Sequence, residues 1–184
     1  MTTGPQAGPR VVLRRWTTAD LDAFADLNGD PQVMATIGPV MDVEASAAFL
    51  HRIDRHFDDH GFGLWCVEVA HEAIGFCGLM VPWFREGVEI GWRLRTKWWG
   101  NGFASEAARL VLAHAFEEQP GGLGFDEVIS FTAASNERSQ WVMQAIGMSR
   151  DVDGDFEHPG VPESSHLRPH VLYRLPIGRY RSML

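Results

Sequence analysis

Cysteine, tyrosine and positive charge are all scarce in this 184-residue chain, and each scarcity excludes something. Two cysteines, Cys66 and Cys77, cannot build the disulfide framework of a small secreted domain, so a reducing, cytoplasmic compartment is expected. Sixteen basic residues stand against 24 acidic ones, for a net charge of -8. That balance argues against nonspecific nucleic-acid binding and is compatible with a cationic substrate. No apolar run approaches the roughly 20 residues of a membrane span, so no membrane partner is expected. The segment MTTGPQAGPR lacks an apolar h-region; residues 1–9 read as a flexible lead and not as a signal peptide. Internal repeats and low-complexity tracts are absent too.

What the chain does have is the balance of a soluble globular protein, with 45% hydrophobic and 22% charged residues. Its length suits one domain spanning residues 1–184, large enough to bury about two-thirds of its extended surface. In order, Val11–Arg15 reads as a strand and Asp20–Asn28 as a helix capped by Thr17 or Thr18 and broken at Asp30-Pro31. A second helix runs over Val43–His60 with Asp42 as its cap. Phe49, Leu50, Ile53 and Phe57 face inward, and His51, Arg52, Arg55, His56, Asp58 and Asp59 take the solvated side. His56 and His60 have metal-ligand spacing, but that solvated face is the better reading and no metal is assigned.

Leu64–Val69 and Ile74–Val81 read as a hairpin about Ala70–Ala73. A turn centred between His71 and Glu72 would set Cys66 opposite Cys77. Pro82-Trp83-Phe84-Arg85 is a loop whose aromatics line a pocket or anchor it to the core.

The stretch Val88–Glu118 organises the rest. Val88, Ile90, Trp92 and Leu94 alternate with Glu89, Gly91 and Arg93, the period of a half-buried strand. Ala104, Ala107, Ala108, Val111, Leu112 and Ala115 make one apolar helical stripe. Between them, Lys97-Trp98-Trp99-Gly100-Asn101-Gly102 brings open backbone amides to a helix N-terminus, a binding site for phosphate. A dinucleotide fingerprint fits poorly, because Arg95–Trp99 separate the glycines from the strand and no acid follows the next strand. A P-loop would need Gly-Lys-Ser/Thr, which is missing.

Downstream, Glu127–Thr132 is a strand, Asn136–Ile146 a helix stopped by Gly147, Met148–Val152 a short strand, and Val171–Leu175 the last one. Asp153–His166 is an acidic loop. Its glycine offset and Pro162 do not fit a calcium site. It is either a solvated segment or a device that steers a cationic amine.

The segment Lys97–Gly102 resembles motif A of the GNAT N-acetyltransferase superfamily, (Gln/Arg)-x-x-Gly-x-(Gly/Ala), with Lys97 in place of the usual first residue. WWGNGFASEA, LRRWTTADLDAFADLNGDPQVM, TAASNERSQWVMQAIGM and HVLYRL are similar to the RimJ/RimL-type branch, so the resemblance covers nearly the whole chain. It implies an α/β fold, a twisted mixed sheet of about seven strands with helices on both faces, splayed near strands four and five. The pantetheine of acetyl-CoA would lie in that splay against Leu94 and Arg95. Backbone amides of Lys97, Trp99, Gly100, Asn101, Gly102, Phe103 and Ala104 would hold the pyrophosphate. Asn136 and Ser139, matching the branch's Asn-x-x-Ser, would contact the pantetheine and the thiol.

Attack of an amine on a thioester needs a base, an oxyanion donor and a proton for the thiolate. Glu89 is the base candidate, and an ordinary solvated strand carboxylate is the alternative. Ser139 is the proton-donor candidate in the absence of a tyrosine there. The expected acceptor is a protein N-terminus or a small cationic amine, and a homodimer is compatible with this reading. A non-catalytic acyl-CoA sensor and a nucleotide-binding oxidoreductase are the competing functions.

Overall fold

The computed structural model describes Gly4 and residues 7–184. Part of the expected 1–9 lead lies outside the described residues. Seven strands form one mixed sheet: β1 (Val12–Arg14), β2 (Leu64–Val69), β3 (Glu72–Met80), β4 (Glu89–Leu94), β5 (Glu127–Ala133), β6 (Ser149–Glu157) and β7 (Pro169–Pro176). Their order is β1-β2-β3-β4-β5-β7-β6. Every neighbouring pair is antiparallel except β4–β5, which is parallel and joined at a single residue pair, Glu89 opposite Ile129.

On one face lie α1 (Leu21–Gly29), α2 (Pro31–Met34) and α3 (Val43–His60), with Phe24 and Phe49 packed on Phe76 of β3. The other face takes α4 (Phe103–Phe116), whose Ala107, Ala108, Val111, Leu112 and Ala115 are buried, and α5 (Glu137–Ala145). The short α6 (Ile177–Arg181) closes the chain. Among the described residues no helix is long and apolar enough to cross a membrane.

Local chemistry sets most of the element ends. Thr17 N and Oγ1 both donate to Asp20, which fixes the entry to α1. Asp42 accepts from Ala45 N at the start of α3. Asp30 ends α1, but the chain turns at once into α2, with Asp30 accepting from Gln32 N and Pro31 in the first turn.

Three expectations are corrected. The β2–β3 turn is Ala70-His71, both with positive φ (50° and 66°), and Val69 pairs with Glu72. A bulge at Val67/Glu68 then shifts the register, so Cys66 faces Phe76 and Cys77 faces Trp65. The two cysteines are therefore not opposite each other; both are free and buried.

His56 is not on the solvated side of α3. Its Nε2 accepts from Val81 N, which leaves Nδ1 to donate to Phe62 O at 2.7 Å, so the ring is a neutral brace between α3 and β3.

The first part of the expected acidic loop, residues 153–157, is strand, while residues 158–166 remain loop. β6 continues to Glu157 across an irregularity between Asp151 and Phe156. Asp151 pairs with Arg174, Asp155 with Arg150, and Glu157 with Arg168. Asp151, Asp155 and Glu157 thus have arginine partners along the β6–β7 hairpin, while Asp153 and Glu163 remain exposed, so the charge available to steer a cation is reduced.

Burial holds His56, His114, His158 and His170 below the ordinary imidazole value of 6.5. A depressed folded-state pKa means stability is complete above the unfolded value and is lost as pH falls below it. Denaturant midpoints are expected to drop between pH 7 and 5, and His56→Gln should flatten part of that slope. A pH-independent midpoint over this range would show that these rings are not held neutral by the fold.

Candidate active site

Strand β4 alternates its backbone as well as its side chains. Arg95 N donates to Ile74 O of β3, and Val88 O accepts from Ile129 N of β5. Even-numbered residues from Val88 to Leu94 therefore point their N–H and C=O groups toward β5. Beyond the Glu89–Ile129 pair the two strands part. Ser130 Oγ reaches across to Ile90 O at 2.8 Å, and Trp99 Nε1 takes Leu94 O at 2.7 Å. The backbone of Trp92 and the N–H of Leu94 are left facing a gap.

That gap opens into a groove of about 660 Å³. The end of β4, the Trp98–Ser105 turn and helix start, and α5 form its walls, with Val33, Thr36 and Ile37 at the far side. At its floor α4 begins after Gly100 and Gly102, with φ of 76° and 79°, conformations that a β-carbon resists. Gly102 is the N-cap and offers no side chain, so the first amides of α4 have neither a cap nor a carbonyl one turn back. The turn is tied down from outside by Arg10, which binds Glu106 and Asn101 O and lies over the Phe103 ring. These open amides are placed so that an anion could reach them.

Of the residues expected at a cofactor, Leu94, Trp99, Gly100, Gly102, Phe103, Ala104, Asn136 and Ser139 line this groove. Asn101 braces the turn instead, its Nδ2 donating to Trp98 O and Trp99 O. The Arg95 and Lys97 side chains leave the groove for the opposite side and pair with Glu72. Arg95 is also paired with Asp26, and its amide is committed to β3, so β4 offers the gap Trp92 and Leu94 in its place.

Among the lining residues that the sequence did not point to are Arg138, whose guanidinium sits 4.4 Å over the Trp99 ring, the exposed Trp141, and Arg93. The helical spacing of Arg138 and Trp141 beyond Asn136 was the one available signal.

Asn136 is buried at the start of α5. Its Oδ1 accepts from Ser139 N, and its Nδ2 donates to Thr132 Oγ1 and to Ser139 Oγ at 3.1 Å. Because Ser139 Oγ accepts that bond, its own proton is free to point into the groove.

Glu89 lies on the opposite face of β4 from Ile90, at the point where the strands part. It is half-buried, forms no ion pair among the described residues, and desolvation pushes its carboxyl up to about 8 against the opposing pull of Arg85. A solvated strand carboxylate would not behave so. Burial also pushes the Cys66 thiol up to about 12 and raises Cys77, so neither supplies a thiolate nucleophile. Among the described residues no three His, Cys, Asp or Glu side chains gather as a metal site.

The sequence profile described as "Acetyltransferase (GNAT) domain" matches residues 10–149. The chain belongs to the GNAT acetyltransferase family. Its co-substrate is acetyl-CoA. A Bacillus subtilis relative, YkkB, is 32% identical over 130 residues, covering 68% of this chain and 73% of its own. The FsC-acetyl coenzyme A-N(2)-transacetylase of Aspergillus fumigatus is 34% identical over 134 residues. That match covers 67% of this chain, which spans only 55% of the fungal protein. Among solved structures, an acetyltransferase from Agrobacterium tumefaciens has a TM-score of 0.76 at 25% identity, with 95% of each chain covered. The fold alone is shared with spermidine N-acetyltransferase of Vibrio cholerae in complex with CoA and spermine, at 16% identity and TM-score 0.73 over 95% of this chain and 99% of that one.

Gly100→Val and Gly102→Val place methyl groups where an anion must reach the amides and disfavour the required φ by about 1–2 kcal/mol. Acetyl-CoA affinity, read by calorimetry, should fall by more than about tenfold while α4 keeps the fold intact. Unchanged affinity would remove the turn from the binding site.

Proposed function

We propose that this member of the family transfers an acetyl group from acetyl-CoA to a primary amine by direct attack, without an acyl-enzyme, and that it stands near the RimJ/RimL-type branch. WWGNGFASEA and the Asn136/Ser139 pair support the branch. The single observation that carries the chemistry is Glu89: a desolvated carboxyl, without an ion pair among the described residues, at the parting of β4 and β5.

In this reading the thioester lies in the gap with its pyrophosphate on the α4 N-terminus. Leu94, Trp99, Gly100, Gly102, Phe103 and Ala104 surround the cofactor, and Asn136 and Ser139 face its thiol end. The amine nitrogen attacks the thioester carbon and Glu89 takes its proton. The tetrahedral oxyanion meets a backbone N–H of β4 in the gap. As the C–S bond breaks, the thiolate takes a proton donated or relayed by Ser139, a weak acid whose hydroxyl is already oriented by Asn136. A non-catalytic acyl-CoA sensor has no use for the desolvated carboxyl, whose burial disfavours its charged form.

A base whose pKa sits at about 8 is ionised only as pH rises through that value, so the rate should climb with pH and level off above it. Glu89→Gln should lower kcat by roughly 10²–10⁴-fold and abolish that limb while acetyl-CoA affinity is retained. A variant with the parent's turnover and pH profile would make Glu89 structural.

A further inference from the structure

The face of β4 that bears Glu89 continues through Gly91 to Arg93. A β-carbon built on Gly91 would meet only Glu89 Oε1, at 3.8 Å, so the sheet surface between Glu89 and Arg93 is an open hollow with the carboxyl leaning over it. Arg93 forms the other end, about 13 Å along the strand at 3.3 Å per residue, and it lines the groove described above.

The surroundings of Arg93 supply no counter-charge. Its Nη1 donates to the amide oxygen of Asn28, itself fully buried, and its guanidinium lies 5.2 Å from the Phe76 ring centroid and 5.9 Å from that of Phe49. Its Nε is buried without a hydrogen-bond partner among the described residues. Among the described residues no carboxylate lies within ion-pair distance of it, whereas Arg10, Arg14, Arg95, Arg150, Arg168 and Arg174 are all paired. Burial brings its pKa down to about 10, so it remains a cation at neutral pH. Arg85, whose charge acts on Glu89, is likewise without a carboxylate partner among the described residues and holds Nη1 buried and unbonded.

We infer that the acyl acceptor is an amine that itself carries a carboxylate, its amino end at Glu89 and its carboxylate on the Arg93 guanidinium, with Gly91 keeping the floor between them clear. A guanidinium held by a neutral amide and two ring faces is preorganised for an incoming anion and pays little to rearrange. A polycation would meet Arg85 and Arg93, neither with a carboxylate partner among the described residues, and Asp151, Asp155 and Glu157 are already paired with arginines.

This inference rests on the amine-transfer reading, and its test separates the two. Thiol release from acetyl-CoA is followed with α- and ω-amino acids, each beside its carboxamide and its decarboxylated amine, and with spermidine as the polycation. The acids should exceed their neutral partners in kcat/KM by about 10- to 100-fold, the worth of one charge-assisted hydrogen bond. Arg93→Met should erase that preference through the acceptor KM, Arg93→Lys should restore part of it, and Gly91→Val should raise the acceptor KM for all. Turnover with amines but no preference for the acids, or faster turnover of spermidine, overturns this inference alone. No release with any amine overturns the transfer reading and this inference together. The parent protein's panel decides the matter even if an Arg93 variant fails to fold.

Discussion

The parting of β4 from β5 after one residue pair is the constraint on which everything else depends. A sheet that stops pairing in its middle exposes backbone donors and acceptors that cost free energy unless something meets them. Here Ser130 Oγ and the Trp99 indole each take one carbonyl, the ends of α4 and α5 flank the opening, and the remaining β4 groups face a groove. The parallel relation of β4 and β5 explains which helix end lies beside the opening. The connection between them must cross through α4, which sets the open N-terminus of that helix beside the C-terminal end of β4. The crossover thus brings the open amides of α4 next to the strand gap.

Charge placement divides the molecule in the same way. Where arginines serve the fold they are compensated: Arg14 is bound to Asp20 and Glu68, which holds the Asp20 carboxyl down to about 2, and Arg174 is bound to Asp151 and Glu127. Glu89, Arg85 and Arg93 lack that compensation on a common sheet face. Isolated buried charges cost several kcal/mol, and the chain pairs its other half-buried arginines, Arg14, Arg95, Arg168 and Arg174, so these three stand out as groups that a ligand would complete.

The sequence made the frame legible because periodicity reports burial directly. The α4 stripe, the β4 alternation and the glycines before Phe103 are each visible without neighbours. Chain-order reading fails where a neighbour decides. A single bulge at Val67/Glu68 changes which residue faces Cys66, and no pattern in β2 announces it. His56 looks solvated on a helical wheel, but Val81 N and Phe62 O lie on segments that only the fold brings to it. The same holds for the β6 acids, whose arginine partners sit on β6 itself, on β7 or just before it. For the groove, the glycine turn and the Asn-x-x-Ser pair could be read locally. The turning away of the Arg95 and Lys97 side chains could not, since it depends on Glu72 and Asp26.

Because the gap in the sheet is the central element, backbone hydrogen exchange at β4 interrogates it most directly. In the free protein the amides of Trp92 and Leu94 should exchange fast compared with Gly91 and Arg93, which are laddered to β3. Saturation with acetyl-CoA should slow Trp92, Leu94 and the first amides of α4 together. Slow exchange of Trp92 and Leu94 before ligand is added, or protection by acetyl-CoA that bypasses β4 and the α4 N-terminus, would contradict the account.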